Sequence, residues 1–185
     1  QFMDGFDPGH VCNHSDRQGR YAFDRQPAVA NWNLHALAQA LLPLIGDATL
    51  AHAALRPFES VFATKYTACM AAKLGFVEPP AGIDTLIDEL LTLMAREHTD
   101  YAIFWRRLAV CMGGSSSQAV QDLFIESAAF DQWLARYQAL IAAHPGVHSP
   151  ALMLKTNPKF VLRNHLAEQA IERARHKDFG MTREL

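Results

Sequence analysis

From Gln26 onward, apolar residues recur every three to four positions, the period of helices that each bury one face. Val29, Trp32, Ala36, Leu37, Ala40 and Leu41 define the first such face, with Pro27 at the first helical position and Pro43 and Gly46 at the end. Asp47 reads as the N-cap of a second helical stretch reaching about Leu74. Pro57 must kink or divide that stretch, because it removes a backbone donor from the interior. Gly75 closes it, and Pro79-Pro80 makes a stiff connection. Ile83, Leu86, Ile87, Leu90, Leu91 and Met94 mark an amphipathic helix, and Asp100 opens a short one through Ile103, Phe104, Trp105 and Leu108. Gly113-Gly114-Ser115-Ser116-Ser117 is a flexible connector by composition. Phe130, Trp133, Leu134, Tyr137, Leu140 and Ile141 form the next apolar face, ended by Pro145-Gly146. Asn157-Pro158 predicts an N-cap with Pro at N1, opening a last helix to about Lys177. No segment sustains the two-residue alternation of a strand, so the predicted fold class is all-α, without internal repeats. Trp32, Trp105 and Trp133 all fall on apolar faces and are expected in the core.

Residues 1–26 break this pattern. They are aperiodic, contain Gly, Asp and Pro, and carry a strong turn signal at Asp7-Pro8-Gly9. Between Val11 and Pro27 a thiol, an imidazole, carboxamides, carboxylates and arginines crowd around Gly19. The predicted organisation is a polar loop segment over 1–26 and a helical body over 27–185, together one domain.

Composition narrows the functional classes. Half of the 185 residues are hydrophobic, enough for a sizeable core. The net charge of −2 comes without a basic run, which argues against a nucleic-acid or anionic-membrane surface. Cys12, Cys69 and Cys111 are odd in number and widely spaced, so a reducing compartment is expected rather than a disulfide framework. Cys69 and Cys111 lie in apolar helical contexts and read as small core residues. No apolar run reaches the roughly 18 residues needed to cross a bilayer. Gln1-Phe2-Met3-Asp4 lacks the basic start and apolar block of a signal peptide. The opening on Gln1, in mid-pattern and without Met, points to a piece of a longer protein.

The loop offers chemistry but completes no catalytic constellation. His10, Cys12 and His14 alternate, and an extended segment would turn them to one face as metal ligands. Zinc sites usually draw two further ligands from a distant segment, and no second Cys/His pair appears, so a polar loop is the plainer expectation. Asp4, Asp7 and Asp16 supply carboxylates without the EF-hand spacing. A Cys12–His14 nucleophile pair would need an orienting group and an oxyanion hole that the spacing does not provide. In Gly19-Arg20-Tyr21, Gly permits positive φ in a tight turn, and Arg20 suits either a carboxylate fork or a phosphate. The Gly113–Ser117 connector follows a helix and lacks a Gly-Lys-Ser/Thr ending, unlike a phosphate-cradling loop.

Longer stretches carry a family resemblance. Phe2-Met3-Asp4, Phe6-Asp7-Pro8, Val11-Cys12-Asn13-His14-Ser15-Asp16, Gly19-Arg20-Tyr21-Ala22-Phe23 and Gln26-Pro27-Ala28-Val29-Ala30, leading into Trp32-Asn33-Leu34, resemble the selenoprotein O (SelO/YdiU) family. The likeness continues through Leu37-Ala38-Gln39-Ala40-Leu41, Lys73-Leu74-Gly75, Phe104-Trp105-Arg106 and the run from Asn157 to His165. The resemblance implies the helical C-terminal lobe of a protein-kinase-like (pseudokinase) fold, with residues 1–26 as an activation-loop-like segment. It implies an enzyme that moves AMP from ATP to hydroxyls of protein side chains, with Mg²⁺ or Mn²⁺ neutralising phosphate charge.

The family's nucleotide-binding Lys and Glu, catalytic Asp and metal-binding Asn and Asp all lie N-terminal to the matching region. None therefore falls on a residue of this chain, which is expected to be inactive alone and to hold neither ATP nor metal tightly. Cys12 matches an activation-loop cysteine that in some members pairs with a C-terminal cysteine, which makes it the redox-regulatory candidate. Asn13, His14, Ser15, Asp16, Gly19, Arg20 and Tyr21 are the activation-loop candidates. Expected partners are protein substrates and the remaining lobe, with self-association through exposed apolar surface in its absence, but neither nucleic acid nor membrane. The expected location is the bacterial cytoplasm, or the mitochondrion for a eukaryotic relative. A non-catalytic helical binding or scaffold module derived from the family is the alternative.

Overall fold

The structure, a computed structural model, describes residues 3–185; Gln1 and Phe2, and with them the start of the Phe2-Met3-Asp4 motif, lie outside the described residues. A 3₁₀ turn at Phe23–Arg25 leads into α1 (Gln26–Ile45), α2 (Ala48–Leu55), α3 (Phe58–Lys73), α4 (Ile83–Glu97) and α5 (Tyr101–Met112). The chain continues through α6 (Gln118–Gln121), α7 (Ser127–Ala143), α8 (Pro150–Thr156), α9 (Asn164–Arg175) and α10 (Gly180–Glu184). Among the described residues there is no strand, only isolated antiparallel bridges joining Gly5 to Asp100 and Phe76 to His148. The fold is all-α, as the periodicity predicts.

The core forms where the patterning is cleanest. α4 buries Ile83, Leu86, Ile87, Leu90, Leu93 and Met94 and turns Asp84, Thr85 and Asp88 to solvent. α7 lays Phe130, Trp133, Leu134 and Tyr137 against it, and α5 adds Phe104, Trp105 and Leu108. α8 closes the layer by packing on α5 and α3. Phe124, Phe130, Trp133 and Tyr137 stack in sequence, with centroids 4.7, 5.9 and 5.2 Å apart. Such ring pairs add about 0.5–1.5 kcal/mol each beyond the area they bury. Two buried donors fix the register: Trp133 Nε1 donates to the Leu86 carbonyl at 2.9 Å, and the Tyr137 hydroxyl to the Leu74 carbonyl at 2.5 Å. Gly75 adopts φ 85°, and a Cβ there would lie 2.7 Å from His148 Nε2, so only glycine lets this turn close on the segment before α8.

The structure departs from the sequence pattern in four places. No residue of α1 is buried, and Trp32 is 57% exposed. Apolar residues surround α1 rather than line one stripe, a pattern that calls for cover on several sides, and its main neighbour here is α2. Trp32 is therefore not a core residue, whereas Trp105 and Trp133 are. Pro43 lies inside α1, which runs on to Ile45 and ends at Gly46 with φ 74°; Pro57 does divide α2 from α3. Cys69 is exposed because α3 buries only Met70 and Ala71, while Cys111 is buried as expected. Asn157 is not an N-cap. It ends α8, buried, with Nδ2 donating to the Lys73 carbonyl at 2.9 Å, and Pro158 follows as a helix stop; α9 begins at Asn164.

Candidate functional site

The polar loop is built on an anchor at the α4–α5 corner. α4 ends at His98, which takes a left-handed conformation (φ 50°), and Asp100 caps α5 by accepting from the Ile103 amide at 2.8 Å. Residues 4–6 run alongside this corner. The Phe6 amide donates to the Thr99 carbonyl at 2.8 Å, and the Tyr101 amide to the Asp4 carbonyl at 3.0 Å. The approach is close enough that a Cβ on Gly5 would sit 2.7 Å from the His98 carbonyl oxygen. Arg163, arriving from the segment before α9, bridges the joint: its guanidinium pairs with Asp4 and, at 3.0 Å, with Asp100. Asp100, then Asp4, hold the Arg163 pKa above its ordinary value.

From this anchor the loop closes on itself. The Phe23 amide donates to the His10 carbonyl and the Asp24 amide to the Pro8 carbonyl, both at 3.0 Å. Phe6 stacks on Tyr101 at 5.1 Å and meets Phe23 edge-on at 5.9 Å, so both ends of the loop rest on one aromatic cluster. Inside, Asp16 organises the turn: its carboxylate accepts from the amides of Gln18, Arg20 and Tyr21 at 3.3, 3.0 and 2.7 Å. The Tyr21 amide is the main reason that this carboxyl sits below its usual range. Asn13 Oδ1 accepts from the Ser15 amide at 2.9 Å, and Gly19 supplies the left-handed residue at φ 67°. Gln26 Nε2 donates to the Tyr21 and Ala22 carbonyls, tying the loop to the start of α1.

Arg20 does not form the expected carboxylate fork. Its guanidinium lies 4.5 Å from the Trp32 ring centroid and 5.7 Å from that of Tyr21, a cation–π clamp that binds the loop to α1. Cys12 is exposed, and its sulfur lies 3.4 Å from His10 Nε2 rather than beside His14. The Cys12–His14 nucleophile pair is thus replaced by a Cys12–His10 contact. His14 and Ser15 are exposed on the turn.

Asp4, Asp7 and Asp16 do not fit a divalent cation as a set. Asp4 is held by Arg163, Asp7 accepts from the Gly9 amide at 2.8 Å, and Asp16 is engaged by backbone amides. Among the described residues no group of three or more His, Cys, Asp and Glu comes together around a metal position. A recess of about 340 Å³ gathers Arg106, Arg107, Lys159 and Arg163, but each arginine spends N–H groups on the fold. Arg106 donates to the Leu154 and Asn157 carbonyls and Arg107 to the Ala119 carbonyl, which makes the recess a brace for the 157–163 segment.

All of residues 1–185 match the family described as protein adenylyltransferase SelO. The chain belongs to the SelO family. It is similar to the protein nucleotidyltransferase YdiU of Variovorax paradoxus, 54% identical over 97% of this chain and 36% of that protein. The YdiU proteins of Albidiferax ferrireducens and Thiobacillus denitrificans are 51% and 49% identical, over 100% and 94% of this chain and 38% and 36% of their own lengths. The chain thus spans little more than a third of these relatives. No helix among its described residues is long and apolar enough to cross a membrane.

For this SelO chain, the residues that shape the loop were only partly visible in the sequence. Asp16, Gly19 and Arg20 stand out locally. Arg163 does not: it lies 159 positions from Asp4, and no spacing rule joins them. Trp32 as the seat of Arg20 was hidden by its place in an apolar helical pattern.

Proposed function

We propose that this chain is the helical lobe and activation-loop-like segment of an enzyme that transfers AMP from ATP to hydroxyl groups of protein side chains. The match to the adenylyltransferase family over the whole chain carries this reading. The polar loop, folded in advance against α4 and α5, supports it. Residues 1–26 form the loop and residues 27–185 the C-terminal lobe of a pseudokinase-like fold. ATP and Mg²⁺ or Mn²⁺ are held by the part of the longer protein outside the matched region, so this chain alone is inactive.

Transfer of a phosphate-centred group depends mainly on positioning and charge neutralisation. The contribution of this chain is positional: Asp16, Gly19 and Arg20 fix the loop's shape, and Arg163 fixes where it starts. Cys12 is the regulatory residue: it is exposed, and exchange with an external disulfide, which leaves as two thiols, joins it to a second thiol of the longer protein. The uncovered apolar surface of α1, including Trp32, Leu37 and Leu44, is the face against which the remaining lobe packs. Without that lobe the chain self-associates.

The test compares this chain with a fusion that adds the N-terminal part of the Variovorax relative. Both are incubated with ATP labelled in the α-phosphate, Mg²⁺ and an acceptor protein. Label on protein from the fusion, and none from the chain alone, is the expected outcome. Transfer by these 185 residues alone overturns the division of labour, and a folded fusion that transfers nothing favours the scaffold alternative.

A further inference from the structure

A groove of about 920 Å³ runs behind the loop, between its two ends, the first turn of α1, and helices α3 and α4. Phe6, Pro8 and Phe23 line one side, and Phe62, Tyr66 and Leu91 the other. The α3 wall is Phe62 and Tyr66, whose rings stack at 6.0 Å, 19° from parallel, with Phe58 stacked on Phe62 beyond the groove at 6.1 Å. Phe62 and Tyr66 are 39% and 40% exposed, so part of each side chain remains accessible to an incoming group. The charged groups lining the groove are Asp24, in the closing turn of the loop, and Asp88 on α4; among the described residues no Lys or Arg lines it.

We propose that this groove docks a segment of the acceptor protein that carries an apolar or aromatic anchor flanked by lysine or arginine. The inference deepens the reading of this chain as part of a protein-modifying enzyme and rests on it. The volume is that of a pocket able to take a few side chains. Leu91, Phe6 and Phe23 receive the anchor, while Asp24 and Asp88 attract an ammonium or guanidinium group. The same carboxylates repel acidic segments, so selectivity comes partly from rejection. Because Phe6, Pro8 and Phe23 are the two ends of the polar loop, a segment docked here lies against the element proposed to position the reaction.

The test is direct binding to this chain, by fluorescence anisotropy of a short labelled peptide with a Leu-Phe-Leu centre between pairs of lysines. Two control peptides replace the lysines by glutamates or the centre by serines. The basic apolar peptide is expected to bind, and both controls at least about tenfold more weakly. Asp24→Asn combined with Asp88→Asn weakens the basic peptide about three- to tenfold, since each exposed ion pair contributes roughly 1.5- to 5-fold. Thr92→Trp, at an exposed position on the groove wall, fills the groove and abolishes binding. Equal binding of the glutamate peptide, or binding that survives Thr92→Trp, overturns the proposal. So does a dimer of this chain that Thr92→Trp dissolves in sedimentation, because a second copy is then the occupant. Peptide binding is read without catalysis, so a failed AMP transfer counts against the proposed function and a failed peptide titration against the groove alone.

Discussion

Replacing Arg163 with Met keeps the aliphatic stem and removes the charge that bridges Asp4 and Asp100. The Arg163 side chain is 18% exposed, that of Asp100 24% and that of Asp4 63%. The Asp100 half of the bridge falls between a surface pair and a fully buried one and contributes about 1–2 kcal/mol. The Asp4 half behaves as a surface pair worth about 0.5 kcal/mol. Asp100 keeps the Ile103 amide as a partner, which limits the penalty of a stranded charge. The expected loss is therefore about 2 kcal/mol, or a fall of about 4–8 °C in Tm for a chain of this length. Chemical denaturation measures the global part and hydrogen exchange the local part. The amides of Phe6, Phe23 and Asp24 close the loop, and they should exchange faster than the global loss explains. Core amides of α4 and α7 should follow the global loss only. A loss below about 0.5 kcal/mol, with unchanged exchange at Phe6, would refute the clamp: backbone pairing and the Phe6–Tyr101 stack would then hold the segment unaided.

Tyr137→Phe leaves the buried Leu74 carbonyl without its 2.5 Å donor and should cost about 1–3 kcal/mol in a denaturation midpoint; a change within error contradicts that role. Burial lowers the pKa of His148, beside Tyr137, below its ordinary 6.5. The folded state therefore favours neutral His148, whose contribution is complete above pH 6.5 and is lost as pH falls through the folded value, so His148→Gln should flatten that acid limb of stability. An unaltered limb would count against this. Burial also brings the Lys73 amine from 10.5 to about 8, with the Tyr101 and Trp105 rings at 5.5 and 4.8 Å sheltering part of its charge. Stability should then fall as pH drops from 10.5 to about 8 and stay level below, and Lys73→Met should remove the slope and raise Tm at neutral pH. A lower Tm would mean that cation–π attraction outweighs burial. A thiol reagent should find Cys12 and Cys69 fast and Cys111 slow, since Cys111 is buried with its thiol pushed up; three equal rates would contradict the burial pattern.

The core was legible because α4, α5 and α7 each concentrate large apolar side chains on one face, and a one-sided face has one way to be satisfied. α1 was legible as a helix but not in its packing, because residues apolar all round do not say which side is covered. Asn157 misled for a related reason: capping chemistry is local, whereas its amide is claimed by Lys73, far away in the chain. At the loop, the turn-forming roles of Asp16 and Gly19 follow from residue type. The partners of Arg20 and Arg163 do not, because a cation finds a ring or a carboxylate only after the helices have assembled.

The group added to the acceptor decides whether this chain serves AMP transfer. Intact mass of an acceptor protein, after incubation with ATP, Mg²⁺ and the fusion of this chain to the N-terminal part of its Variovorax relative, reads that directly. A gain of one AMP per modified hydroxyl is expected, lost when the fusion lacks this chain. A gain of one phosphate, or no gain from a folded fusion that retains ATP binding, would contradict it.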